Sequence, residues 1–294
     1  MFISFNTNAQ KKYTKTYYKN GKLKAEGWVN SNLKTNYWFY YYPNGNIKEK
    51  GFFLNDKKTK HWYSYFENAQ IKSQGDYKDG KKQGFWKHYQ KNNKLLKAGS
   101  YTNDKPIGYW KIYQENGYLE KEGAFTNGIK ENLWKSYHSN GKLKTVEYYL
   151  NGLKNKYSKT FYNNGQLAQE GNFINNYETG YWKFYYKNGA LKKEGSFKNG
   201  KQTNYWIFYN TNKIKESEGY FYNNKKNSWW LFYDDMEKIN HKCQLKDNIK
   251  NGYCLMYKNE KLISASKYEA GVKLKEWTDL ASFKKENDLN DLRN

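Results

Sequence analysis

The chain has 294 residues, 20% of them aromatic, and a formal charge of +24 from 52 basic and 28 acidic side chains. That aromatic content supplies enough apolar surface to exclude a disordered polyelectrolyte, and no run of about 18 apolar residues is present to cross a membrane as a helix. Arg293 is the only arginine, so the planar fork suited to phosphate and guanine is missing from the body of the chain, and nucleic acid is a disfavoured partner despite the charge.

Residues 1–12 stand apart from the rest of the chain. Met1-Phe2-Ile3-Ser4-Phe5 is a short apolar stretch ahead of Asn6-Thr7-Asn8-Ala9, resembling the end of a secretory signal with a cut after Ala9, although the basic start and a full-length apolar region are lacking. Two readings stay open: a truncated signal peptide, placing the protein outside the cell or in the envelope, or a frayed terminus of a cytoplasmic protein.

From Tyr13 onward the chain repeats. Trp38, Trp62, Trp86, Trp110, Trp134, Trp182, Trp206 and Trp230 recur every 24 residues with one interval of 48. The missing rung falls on Ser158, and extension outward reaches Thr14 and Cys254, giving eleven units of 24 over residues 13–276. Three residues after each Trp position stands a tyrosine (Phe161 in one unit), and nine after it a Leu or Ile from Leu23 to Ile263, with Ile214 one place early. Glycine recurs at Gly27, Gly51, Gly75, Gly99, Gly123, Gly171, Gly195 and Gly219, and an aromatic follows two residues later from Phe53 to Phe221. A gap-free register of this kind makes the repeat itself the fold.

Aromatic enrichment, two prolines at turns (Pro43 and Pro106) and the absence of a sustained helical period predict strands. Asn-Gly pairs such as Asn44-Gly45 and Asn188-Gly189 suit tight type I′ turns. A second cluster, among them Asp79-Gly80 and Asn127-Gly128, is expected to make a longer turn. Centring hairpins on these turns places Trp110 opposite Gly123, Lys111 opposite Glu122 and, across the next turn, Phe125 opposite Trp134. One face then carries Trp, Leu or Ile, Gly and Phe, the other Tyr, Lys and Glu. Lys15–Glu26, Lys111–Glu122, Lys159–Glu170 and Lys183–Glu194 become cross-strand pairs worth about 0.2–1 kcal/mol each. The expected architecture is all-β: an elongated single twisted antiparallel sheet of about eleven stacked hairpin repeats.

The unit G-x-W-x-x-Y-x-x-N-G-x-L-x-x-E-G-x-F-x-N-G, clearest from Gly180 to Gly200, resembles the MORN-repeat variant of bacterial proteins labelled YwqK-like antitoxins, over about nine tenths of the chain. The resemblance implies stacked β-hairpins forming a long twisted sheet. It also implies either occupancy of membrane surfaces or a protein-binding scaffold, with antitoxin as the label some relatives carry.

Residues for catalysis are sparse, and a non-enzymatic protein without cofactor or metal is expected. His61, His88, His138 and His241 occupy four different repeat positions and share no ligand spacing. Asp234-Asp235 is a carboxylate pair, which a degenerate turn explains more simply than acid–base chemistry. The glycines follow hairpin geometry rather than a phosphate loop. In the register above Cys243 faces Met256 and lies diagonal to Cys254, too far for easy bridging, so two free thiols are expected.

The Trp–Gly pattern lapses around Ser158 and around Met236–Cys254, and a partner is expected to dock there, with Ser158, Trp134, Trp182, Met236 and Cys254 as candidate contacts. The remaining indoles, Trp38, Trp62, Trp86, Trp110, Trp206 and Trp230, read as structural. The leading functional expectation is a repeat scaffold for protein–protein interaction. The alternative is binding of an anionic membrane or polymer surface by the lysine-rich face. Residues 277–294 end the chain: Thr278 can cap a helix whose Leu280, Ala281 and Phe283 rest on the last hairpin, as an end cap or as a partner-docking helix.

Overall fold

The structure is a computed structural model that describes residues 10–287 and Leu292, so the readings of residues 1–9 lie outside the described residues. The chain divides into two compact units, residues 1–142 and 143–294. The first holds eleven strands from β1 (Lys12–Tyr17) to β11 (Ile129–Tyr137), the second twelve from β12 (Leu143–Leu150) to β23 (Val272–Trp277), followed by helix α1 (Leu280–Glu286). Within each unit every strand pairs antiparallel with its neighbours in sequence. The all-β hairpin repeat is thus borne out.

The two turns exchange the geometries expected of them. At Asn55-Asp56, Asn103-Asp104 and Asp79-Gly80 both central residues have positive φ, the two-residue type I′ turn that matches strand twist. The Asn-Gly turns are the longer ones. Across Tyr42–Asn46 the Gly45 N–H donates to the Tyr42 carbonyl (2.9 Å) and the Tyr42 N–H to the Asn46 carbonyl (2.8 Å). Only Gly45 there has positive φ, and the Asn44 side chain accepts from the Asn46 N–H (3.0 Å). That is a turn closed by a left-handed glycine.

Inside the strands, the residue two before each tryptophan position from Trp38 to Cys254 is also left-handed: Asn36, Lys60, Gly84, Gly108, Asn132, Lys156, Gly180, Asn204, Ser228 and Gly252. This bulge shifts the register. Gly123 pairs with Trp110 on one side, as expected, and with Trp134 on the other, while Phe125 faces Lys130 instead of Trp134. A second shift, at Tyr40/Tyr41, puts Ile47 opposite Tyr41, so the Leu/Ile ladder lies on the tyrosine face and not with the indoles.

Register and bulge together explain the Gly–Trp motif. A Cβ on Gly123 would sit 2.3 Å from the Trp134 ring, so only glycine admits the indole of the following strand. The Trp134 Nε1–H then donates to the Ala124 carbonyl (3.0 Å), and each of the eight indoles of the ladder makes the equivalent bond. The donor meets a carbonyl beside the bulge, where ladder pairing is interrupted, which keeps a buried polar group satisfied. Phe or Tyr rings pack edge-on between successive indoles, as Phe221 does against Trp206 (6.0 Å) and Trp230 (5.1 Å).

Helix α1 closes the second unit. Asp279, not Thr278, is its N-cap, accepting from the Ser282 N–H (2.8 Å). Phe283 is inserted and buried, whereas Leu280 and Ala281 are exposed. The helix lies over the tyrosine face of β21 (Ile249–Lys258), β22 (Lys261–Glu269) and β23, in a cluster of Tyr253, Leu255, Ala265, Trp277 and Phe283.

Candidate interaction surface

The tryptophan face is closed. All eight ladder indoles, Trp134 and Trp182 among them, are at most 3% exposed. Lysines four residues before the indoles lie over the rings: Lys58 over Trp62 (4.0 Å), Lys82 over Trp86 (4.6 Å), Lys130 over Trp134 (4.4 Å) and Lys226 over Trp230 (4.1 Å). Lysine is therefore not confined to the tyrosine face. Each stem covers apolar surface while the ammonium meets the ring, a contact worth about 0.5–2 kcal/mol. Burial holds Lys82 and Lys226 below the usual lysine range, with the neighbouring Lys97 adding to the effect at Lys82.

The two irregular junctions are filled, which corrects the expectation of an accessible gap. Ser158 is 5% exposed. By the pairings Val146–Lys159 and Tyr148–Asn155 on either side, it stands opposite Glu147, which occupies the glycine position. The Glu147 carboxylate is bound by Lys154 (2.5 Å) and by the Tyr149 hydroxyl (3.0 Å) where the indole would otherwise lie. At the other junction Cys243 stands directly opposite Cys254, again in the glycine and tryptophan positions, and the two form a disulfide. The expected free thiols are corrected by the same bulge shift, which moves Met256 opposite His241. Of the candidate contacts only Met236, in a turn and 80% exposed, lies on the surface.

The tyrosine face is open. The residue just before each tryptophan position points away from the indole face, and this row includes Phe85, Tyr109, Leu133, Tyr157 and Tyr181, all exposed. Within each unit, neighbours in the row are two strands apart, about 9.5 Å by strand spacing. Glutamates organise the row: Glu170 accepts from Tyr157 (2.5 Å) and Tyr185 (2.8 Å) and pairs with Lys159 (3.5 Å). Partial burial raises the Tyr157 and Tyr181 hydroxyls to about 12, with help from the Glu170 and Glu194 carboxylates. Lys15–Glu26 and Lys183–Glu194 pair as expected. Lys111 is in register with Glu122, whose carboxylate accepts from Tyr137 (2.6 Å).

The histidines serve separate local structures. His61 contacts Asp76 (2.7 Å), His241 stacks on Phe232 (4.3 Å), and His88 stacks on Trp86 (5.8 Å) beside a cavity of about 290 Å³ next to Ser64 and Ser73. Burial, then Lys82 and Lys97, push the His88 imidazole down to about 4. Asp234 caps its own turn by accepting from the Met236 and Lys238 N–H groups (both 2.9 Å). Among the described residues no group of three or more potential metal ligands assembles, and no helix is long and apolar enough to cross a membrane. Neither the bulge nor the open ring row was expected from the sequence. The recurring Asn or Gly two before tryptophan was the available signal for the bulge, and the recurring aromatic just before tryptophan was the signal for the row.

Comparison with known proteins agrees with the repeat. Residues 13–27, 34–55, 130–151, 154–175 and 178–199 match the MORN repeat variant. No curated protein matches the chain. Similar solved structures include the crystal structure of TcdB2-TccC3, at 10% identity and a TM-score of 0.19, covering 89% of this chain and 17% of that one. Another is the crystal structure of TcdB2-TccC3-Cdc42, at 11% identity and a TM-score of 0.20, covering 89% and 15%. The chain therefore spans about a sixth of the length of these proteins.

Proposed function

We propose that this chain, built of MORN-variant repeats, is a non-enzymatic scaffold that binds a protein partner through its tyrosine face. The observation that carries the reading is the asymmetry of the faces: the indole side is filled and lidded by lysine, while the other side leaves a periodic row of rings in solvent. Aromatic side chains with polar tips bury much area at little entropic loss, which suits them to protein contacts. Beside the one cavity named above, Ser64 and Ser73 bond each other (2.6 Å) and His88 stacks on Trp86 instead of bonding either hydroxyl, so the serines are not paired with a base. An antitoxin role would make the partner a toxin; the ring row serves that purpose as well as any other.

The alternative is an anionic membrane or polymer surface, favoured by the net charge of +24. The two readings separate by what breaks binding. With a partner recovered by affinity capture, Tyr157→Ser/Tyr181→Ser should weaken binding roughly tenfold or more. Binding should also survive about 1 M salt, where the screening length is about 3 Å. Binding that ignores these rings and vanishes in salt would reject the scaffold reading in favour of the anionic surface.

A further inference from the structure

The helix that closes the chain shows how this face is covered. Phe283 wedges edge-on between Tyr253 of the ring row (5.8 Å, 86°) and Trp277 at the end of β23, 24 residues on (5.2 Å, 77°). One turn later Glu286 accepts from the Trp277 Nε1–H (3.1 Å) and from the Lys275 ammonium. An aromatic anchor with a carboxylate three residues on thus satisfies one apolar cleft, one indole donor and one lysine.

Next to this covered patch the same face continues as half-buried side chains around one exposed ring. Trp229 is the row member one repeat before Tyr253 and packs against the helix-covered cluster. Around it lie Tyr205, Ile207, Leu231 and the exposed Tyr220, whose ring meets Tyr205 edge-on (4.9 Å). In the two preceding repeats the positions of Ile207 and Leu231 hold Lys159 and Lys183, so the face turns apolar toward the helix. The Trp229 Nε1–H is buried without a hydrogen-bond partner, the donor that Glu286 satisfies at Trp277. Lys242 lies over the Trp229 ring (4.8 Å), and burial lowers its pKa. It has no carboxylate within ion-pair distance among the described residues. A buried unbonded donor is unfavourable until an acceptor arrives.

We propose that the Trp229 shelf is the docking site for a helical segment of the partner protein, carrying an aromatic residue and, three residues later, a carboxylate. It would lie beside α1 and repeat the contacts that Phe283 and Glu286 make. The apolar ring packs on Tyr205, Tyr220 and Leu231, and the carboxylate accepts from Trp229 and faces Lys242. The proposal rests on the scaffold reading and names its partner's chemistry.

The test uses the full chain and a synthetic helical peptide roughly 15 residues long, enough for partial helicity in water, with the Phe-x-x-Glu pattern of α1 repeated and fluorescein attached. Fluorescence anisotropy should show saturable binding. Tyr220→Ser, at an exposed ring, should weaken it roughly tenfold, and Trp229→Phe, which keeps a ring and removes the donor, about threefold. Thermal unfolding of both variants checks that the fold is retained. A peptide that fails to bind, that binds both variants like the wild type, or that crosslinks at Tyr253 after displacing α1 overturns the proposal. If it fails while the captured partner still depends on Tyr157 and Tyr181, only the shelf is rejected. If that dependence is also missing, the scaffold reading falls with it.

Discussion

Gly171–Trp182 and Glu147–Ser158 are neighbouring junctions of one unit that solve the same packing problem in opposite ways. At the first, an absent side chain admits an indole that is 1% exposed and donates to the Asn172 carbonyl. At the second, both partners change together: the glycine position gains a carboxylate, and the tryptophan position shrinks to a serine. The Cys243–Cys254 junction is a third solution, with a covalent bond in the same two places. The unit of this fold is therefore the pair of residues across the strands. A position read alone, such as Ser158, looks like a hole only because its partner's change is out of view.

The largest expected effect tests the regular solution. Trp134→Ala removes a buried indole and its hydrogen bond, and should cost about 3–5 kcal/mol in denaturant unfolding. An effect under about 1 kcal/mol, the range of ordinary surface changes, would show that the indole is not the structural unit of its junction.

Breaking the covalent junction should cost less. Cys254→Ser, or reduction of the native chain, opens a short loop and should lower stability by about 2–3 kcal/mol. Mass spectrometry of the nonreduced protein should show the 243–254 bridge. Equal stability with and without reductant would place this junction's strength elsewhere.

The polar junction gives a smaller but sharper test. Ser158→Trp alone should destabilise by about 1–3 kcal/mol, because an indole there meets the Glu147 side chain. Glu147→Gly/Ser158→Trp should recover most of that loss, since it rebuilds the pair found at Gly171–Trp182. A double-mutant cycle without coupling would sink the pairwise account.

The effect that is smallest at neutral pH, emerging only on acidification, is at His88. Its folded pKa of about 4 lies below the ordinary value of 6.5 because burial and two lysines disfavour the imidazolium. The unfolded chain therefore binds the proton more readily between those values, and the neutral imidazole's stability, fully present above pH about 6.5, is lost as pH falls toward 4. His88→Tyr, which installs the residue found at the equivalent Tyr40, should flatten that part of the melting-temperature profile. Parallel profiles for the two proteins would refute the assignment.

The repeat, its eleven units, the strands and the Trp110–Gly123 and Lys111–Glu122 pairings were legible from periodicity, because a 24-residue register leaves little freedom in where hairpins turn. The fate of Leu23 or Ile47 was not: a single bulge at Tyr40/Tyr41 flips that ladder to the other face. The same limit applied to the surface. Trp134, Trp182, Ser158 and Cys254 were plausible contacts by pattern and are buried by packing, whereas Tyr181 and Trp229 looked like ordinary strand residues.

Sequence alone settled the 24-residue period, its strand content and the pairing of aromatic with glycine in the interior, since these depend on spacing and side-chain size along one chain. The folded arrangement was needed to decide which turn is type I′, which cysteine meets which partner and which face stays open. Those outcomes hang on left-handed residues such as Asn36 and Asn132, which shift pairing between strands. A shift in pairing is invisible to local pattern, yet it reassigns every contact beyond it, because side chains in a strand alternate between faces.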